Sequence, residues 1–289
     1  MKPAPFEYFA PTSVEETCAL LARYGDDAKI LAGGQSLVPL LALRLAQPAV
    51  LIDINPVREL DYIQANDGGL SIGAATRHRT LERSPVVREQ FPLLSAAVEW
   101  IGHPQIRNRG TVGGSLAHAD PAAELPALAL ALDATFTVVA SNGSKRTLKS
   151  DEFFVSFLTT ALDTGELLRE VSFPALPAAT GWSFMEVARR HGDFALVGVA
   201  ATVTLDNTHT CSSAHIAVFG VGETAVRSRS TEQALIGQKP DEQVIAVAAS
   251  EVVKDIHPLS DIHATIAYRK YVARNLVEQA LTEAVLRAR

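Results

Sequence analysis

Cysteine is almost missing from this chain: 289 residues carry two, Cys18 and Cys211. That excludes a disulfide framework and a thiolate cage for a metal or iron–sulfur cluster, which takes about four Cys. Both read instead as buried or half-buried thiols. A basic stripe is missing too. The 26 Lys and Arg are scattered and outnumbered by 32 Asp and Glu, so nothing is laid out to meet a nucleic acid backbone. No apolar run is long enough to span a bilayer; those after Glu124 and Ala195 are broken early by Pro, Asp, Thr or Gly. The opening MKPAPFEYFAPTS has neither the charged-then-apolar run nor the cleavage site of a signal peptide, which gives the expectation of a cytoplasmic protein. No Ser sits in a strained elbow and neither Cys stands beside a base, so nucleophilic triads find no support. Internal repeats and low-complexity tracts are also absent.

What remains is an ordinary globular composition, 47% hydrophobic and 20% charged, with a length that suggests two domains. Residues 29–32 read as a strand ending at Gly33–Gly34, and 36–45 as the helix that follows. Residues 50–54 form a second strand closed by Asn55–Pro56, and 70–75 a third after the Asp67-Gly68-Gly69 turn. Helices are expected over 92–102 and over 122–132, the latter with Pro121 in the first helical position and Asp120 as cap. Residues 134–140 return to strand. Composition shifts to Pro, Ala and Gly over 174–181, where the domain boundary is placed. Beyond it 195–206 and 215–220 alternate with period two, as antiparallel strands with one buried face do. Helices over 241–253 and 263–287 complete an α+β chain.

Two glycine turns stand out. Gly33–Gly34 ends a strand and opens a helix, with Ser36 adding a hydroxyl. Thr111-Val112-Gly113-Gly114-Ser115 has the same small, donor-rich character. Such turns leave backbone N–H groups unpaired and let a ligand approach a backbone without Cβ, and a helix N-terminus favours negative charge. The plain alternative for each is an ordinary turn. Two in one chain suit a ligand with two phosphates without naming it.

The residues around them carry a resemblance. ILAGGQSLVPL (30–40) and RGTVGGSLAHADPAAE (109–124), with HPQIRN (103–108), VARRHGDFALVGV (187–199) and GVGETAVR (220–227), are similar to the flavoprotein subunits of the xanthine oxidase and carbon monoxide dehydrogenase family. The likeness covers the whole chain. It implies an FAD-binding domain of the vanillyl-alcohol oxidase and murein reductase type over residues 1–177, in two α+β subdomains of about 1–56 and 57–177. A smaller domain over 178–289, with a three-stranded antiparallel sheet and helices, follows. It implies an electron-transfer subunit carrying FAD beside a small iron–sulfur subunit with 2Fe-2S clusters and a large molybdopterin subunit, as a dimer of heterotrimers with an external acceptor. The AGGQS form of the first loop leans toward relatives that hydroxylate aromatic N-heterocycles.

By the same resemblance Ala32, Gly33, Gly34, Gln35 and Ser36 form one pyrophosphate loop, flanked by Ile30, Leu31 and Leu37. Gly110, Thr111, Val112, Gly113, Gly114 and Ser115 form the other. Ile101 matches an apolar contact to the nucleotide, Glu124 an acid that bonds hydroxyls of the flavin chain, Leu168 an adenine-side contact and Phe194 a residue near the isoalloxazine. Asp120 and His118, beyond cap and loop packing, also stand where they would touch the cofactor. Met185 departs from the pattern, standing where some relatives place a Lys against FAD.

Other readings are weaker. His118, Asp120 and Glu124 crowd together, yet no further His or Cys lies near enough in sequence to complete a metal site. Gly220-Val221-Gly222-Glu223-Thr224-Ala225 mimics a dinucleotide fingerprint, but the polar residues after it read as a hairpin rather than a crossover helix. Arg189 and Arg190, as strand neighbours, point to opposite faces, one toward a phosphate or an interface or both toward solvent. The alternative activities are a self-contained FAD oxidoreductase with its own organic substrate, and a nucleotide-binding module without turnover.

Overall fold

The computed structural model describes residues 2–66 and 68–289; Asp67 of the turn named above lies outside them. Three larger sheets follow one another along the chain, and a two-stranded ribbon, Phe154–Ser156 with Thr159–Thr160, is separate from them. The first is three-stranded and parallel, in the order Glu7–Phe9, Val50–Asp53, Ala28–Leu31. Helix Val14–Tyr24 crosses between its two outer strands, Glu7–Phe9 and Ala28–Leu31, capped by the Ser13 hydroxyl, which accepts from Glu16 N–H. It buries Val14, Cys18 and Leu21 against the sheet.

The second sheet is antiparallel, in the order Ile63–Asn66, Gly69–Gly73, Glu166–Pro174, Thr135–Ala140, Lys145–Lys149. The third runs Thr180–Val187, Val197–Leu205, Cys211–Phe219, Val226–Arg227. Its fourth strand is two residues long, added to the expected three by the hairpin over 220–225.

The one-buried-face expectation for the third sheet is corrected. Strand Val197–Leu205 is buried along almost its whole length, because both faces are covered. Val197, Val199, Ala201 and Val203 pack on the long helix Ile266–Ala288. On the other face Ala200, Ala217 and Phe219 meet helix Glu124–Ala131, whose eight residues are all buried. Small side chains on the sheet let that helix approach, and a helix apolar all round belongs between two sheets.

Several boundaries also move. The helix after the first glycine turn spans Leu37–Ala42. The one expected over 92–102 stops at Val98, and a separate helix, Pro104–Arg109, follows it; a proline starts each. The helix over 122–132 starts at Glu124 rather than Pro121. Asp120 is not its cap: its carboxylate accepts from Ala122 N–H at 2.9 Å and its carbonyl from Ala123 N–H at 3.1 Å, a tight turn that delays the helix. Arg189 and Arg190 are not strand neighbours, because their strand ends at Val187; both are exposed in a bend, and Arg189 reaches His263 at 3.3 Å.

Candidate functional site

A groove of about 850 Å³ runs between the first and second sheets and opens beside the segment before strand Val197–Leu205. Both glycine loops line it. Ile30, Ala32, Gly33, Gly34, Gln35, Ser36 and Leu37 form one wall, and Gly110, Thr111, Gly113, Gly114 and Ser115 another. Ile101, Asp120, Glu124, Leu168 and Phe194 line it too, as does His118, which ends helix Val112–His118 rather than sitting in a loop. Leu31 and Val112 are not in the wall. Leu31 alternates away from Ile30, as strand neighbours must, and Val112 is fully buried in the core. Met185 packs against the core of the third sheet and does not line the groove.

The two loops differ in what they offer a ligand. Among the described residues, no acceptor in the chain meets the backbone N–H of Gly33, Gly34, Gln35 or Ser36, and the Ser36 hydroxyl makes no cap bond. Four consecutive free donors at a loop-to-helix turn form a concave anion site. Gly34 holds the turn with φ +73°, a left-handed conformation that glycine adopts without strain.

From Val112 to Ser115 the second loop is already satisfied, contrary to the expectation of free donors there. Val112 N–H bonds Thr76 O at 2.9 Å and Gly113 N–H bonds Ala74 O at 2.8 Å. Gly114 N–H bonds the Thr111 hydroxyl at 3.2 Å and Ser115 N–H the Thr111 carbonyl at 3.0 Å. Thr111 is thus an N-cap, and both glycines sit inside the first helical turn. Gly113 is there for packing: a Cβ would lie 2.4 Å from that of Ala74. Gly33 has a similar role, since a Cβ there would stand 2.4 Å from Arg109 O, across the gap between the loops.

The acidic wall is more buried than sequence suggests. Glu124 is 5% exposed at the start of its helix, and burial, with the Asp120 charge adding to it, pushes its carboxyl up to about 7. Glu186 faces it from strand Thr180–Val187 and was not foreseen, because an acid in an alternating strand reads as solvent-facing. Both its carboxylate oxygens are buried without a partner, and burial, then the Glu124 charge, pushes it up to about 8.

His78 is a second residue that sequence reasoning missed, having no motif around it. It is 4% exposed, and its Nε2 bonds Thr111 O at 2.9 Å. A carbonyl only accepts, so Nε2 carries the proton and Nδ1 is a bare acceptor, buried and unpartnered at the groove wall. Burial lowers its pKa to about 4, which keeps the ring neutral. At the mouth, Phe194 is 61% exposed.

Anion donors at one place, hydroxyl acceptors in Glu124 and Asp120 at another and an exposed aromatic ring at the mouth fit a ligand with phosphate, polyol and flat-ring parts, which FAD has. The comparisons agree. The FAD binding domain of molybdopterin dehydrogenases matches residues 4–176, and the C-terminal domain of carbon monoxide dehydrogenase flavoproteins matches residues 182–284. The alpha subunit of the 6-hydroxypseudooxynicotine dehydrogenase complex of Paenarthrobacter nicotinovorans is 48% identical over 289 residues, 100% of this chain and 97% of that one. The structure of carbon monoxide dehydrogenase from Hydrogenophaga pseudoflava superposes with a TM-score of 0.96 at 40% identity, covering 99% of each chain. Quinoline 2-oxidoreductase from Pseudomonas putida 86 does so with a TM-score of 0.93 at 39% identity, covering 100% of this chain and 99% of the other. The chain therefore belongs to the FAD-carrying medium subunits of the molybdenum hydroxylases, the oxidoreductase flavoproteins of multisubunit complexes with iron–sulfur and molybdopterin partners.

Proposed function

We propose that this chain relays electrons, through FAD held in the groove, from the iron–sulfur clusters of a small partner subunit to an external acceptor, while a large molybdopterin subunit hydroxylates the substrate with water. The row of free N–H groups over residues 33–36, in one groove with the buried Glu124, is the observation that carries this reading. Those donors, with the Ser36 hydroxyl, would take the pyrophosphate. Thr111 and Ser115 would add hydroxyls from the second loop, whose backbone donors from Val112 to Ser115 are already used. Glu124, seconded by Asp120, would accept from polyol hydroxyls. Ile101 and Leu168 offer apolar surface to the nucleotide, and Phe194 stands at the mouth where the ring system would end.

Bound FAD would supply the redox chemistry that these side chains lack, accepting electrons singly and releasing them as a pair. The chain's own task is to bind and orient it. Cys18 and Cys211 are each 1% exposed and lie in different cores, so the cluster that feeds the groove would be held by a partner. A dimer of heterotrimers in the cytoplasm is the assembly we infer, on the strength of the family; among the described residues no helix is long and apolar enough to cross a membrane. The substrate reading is an aromatic N-heterocycle. Relatives named for quinoline and for a hydroxylated nicotine derivative favour it, and one named for carbon monoxide marks the breadth of the family. We also read an FAD-binding domain over residues 1–177, in subdomains of 1–56 and 57–177, and a second domain over 178–289, supported by the confinement of each sheet to one segment.

Two substitutions test the binding geometry. A charge-assisted hydrogen bond contributes about 1.5–3 kcal/mol, so Glu124→Gln in the flavin-depleted complex should weaken FAD roughly ten- to hundredfold. Unchanged affinity on flavin titration would leave Glu124 a helix-start acid. Phe194→Ala, removing an exposed ring at the mouth, should alter the flavin spectrum or reoxidation rate while affinity falls only modestly; if neither changes, the ring has no part in the site.

A further inference from the structure

Three polar residues, Asn55 and Arg77 behind the groove and His78 at its wall, were not among the expected site residues and have no part in the mechanism above. Asn55 follows the last strand of the first sheet. Its Nδ2 donates to Ala32 O, in the first loop, at 2.9 Å, and its Oδ1 accepts from Arg77 Nη2. Arg77 Nη1 donates to Arg109 O, directly before the second loop. His78 continues the line: its N–H bonds Gly110 O at 3.0 Å and its ring Nε2 bonds Thr111 O. Asp53 fixes Asn55 from below by accepting from its backbone N–H at 2.9 Å and from Nδ2, while Tyr8 donates its hydroxyl to the same carboxylate.

The amide orientation is settled by this network. Flipped, Asn55 would turn its NH₂ toward the guanidinium and its oxygen toward the Ala32 carbonyl, losing every bond. The carbonyl that Arg77 holds is also the one against which Gly33 packs without room for a Cβ. Asn55 and Arg77 thus join the two loops where Gly33 packs against Arg109 O, one residue belonging to the first sheet's chain segment and the other to the second's.

We propose that Asn55 and Arg77 form a bracket that sets the separation of the two glycine loops, and that both are positioning residues for the dinucleotide part of the cofactor. The proposal rests on the reading of the groove as the FAD site. Neither residue lines the groove, so each acts through the loops: Asn55 by holding the Ala32 carbonyl, Arg77 by holding that of Arg109. A ligand bonded to the N–H groups of residues 33–36 and to the Thr111 and Ser115 hydroxyls needs both walls at one spacing. Losing either end of the bracket lets them drift, and further loss at the other end then changes little.

The test uses the flavin-depleted full chain in its complex, as parent, Arg77→Met, Asn55→Leu and the double variant, with ADP as probe of the pyrophosphate half. Met keeps the length of the Arg stem and Leu the branched shape of Asn, so each removes hydrogen bonds with little change in packing. Each single variant should weaken ADP by tenfold or more, and the double variant should be no weaker than the weaker single, the non-additivity of one unit. Amide hydrogen exchange should quicken over residues 32–37 and 109–115 together, while strands Val197–Leu205 and Cys211–Phe219 stay as in the parent. Parent-like ADP affinity with parent-like exchange at both loops overturns the bracket. Faster exchange throughout the chain overturns it as well, showing general support of the fold rather than positioning, and so do additive losses in the double variant. If the parent binds no ADP, it is the reading of the groove that fails, and the exchange data alone decide the bracket.

Discussion

Gly33→Asp is expected to yield a folded chain that assembles with its partners and carries no flavin. The substituted Cβ would lie 2.4 Å from Arg109 O and 2.7 Å from Gly110 Cα, both backbone atoms of a neighbouring loop that is itself held in place. The two walls must part, and the carboxylate arrives where an anion is meant to sit, among the free N–H groups of residues 33–36. Repulsion and displacement act in the same direction, so the loss is larger than that of any single hydrogen bond. Gly33→Ala separates the two causes, since it displaces without adding charge and should retain part of the flavin. Gly222→Asp is the control: a Cβ at that half-buried hairpin turn meets only ordinary contacts, the nearest at 3.6 Å, and flavin content should equal that of the parent. Circular dichroism and acid-released FAD per chain measure both sides of the expectation. Full occupancy in Gly33→Asp would remove the first loop from the site.

The second large effect is on stability against pH. Glu124 and Glu186 are buried carboxyls whose folded-state pKa values, about 7 and about 8, stand above the ordinary 4.5. The folded chain therefore binds more protons than the unfolded chain between roughly pH 4.5 and 8, and stability falls as pH rises through that window. Below pH 4.5 both states are protonated and there is no penalty; above pH 8 it is complete. At 1.36 kcal/mol per unit the two contribute on the order of 3–5 kcal/mol each, a large share of a typical domain's stability. Urea unfolding of the flavin-free chain should thus show a much higher midpoint at pH 5.5 than at pH 8.5. Glu186→Gln should narrow that difference, because the unpartnered charge is gone at the alkaline end while an unpartnered amide costs about the same at both. Parallel pH curves for parent and variant would show that Glu186 is not buried as described.

The contrast between the two acids illustrates what sequence carries and what it does not. Glu124 stands inside a long motif, fifteen positions after Arg109, and was legible from that motif alone. Glu186 has no motif. Its burial arises because the strand that bears it packs on helix Pro92–Val98 from the preceding segment, a tertiary contact invisible to period-two alternation. The same limit explains the third sheet. Alternation in 195–206 correctly gave strand, but the alanines on its other face are consistent with solvent as well as with a packed helix. Both glycine loops were readable, yet which of them had donors to spare was not. That depended on Ala74 and Thr76 reaching across to helix Val112–His118, more than thirty residues away in sequence. Asn55 read only as the end of a strand and Arg77 and His78 carried no pattern at all, because their contacts are to backbone carbonyls, which have no identity in sequence. Leu31 and Val112 lie outside the groove wall for a simpler reason: a loop motif names consecutive residues, whereas a groove wall takes those that face it.

The central claim is that this chain takes its electrons from an iron–sulfur partner rather than from an organic substrate. The most direct measurement is to reduce the small iron–sulfur subunit with dithionite, remove the excess, and mix it anaerobically with the FAD-loaded chain while recording the visible spectrum. The account predicts bleaching of the flavin band with matching recovery of the iron–sulfur absorbance, about two cluster electrons for each FAD. No transfer from the reduced subunit, together with direct bleaching of the isolated chain by an organic substrate such as quinoline, would contradict it.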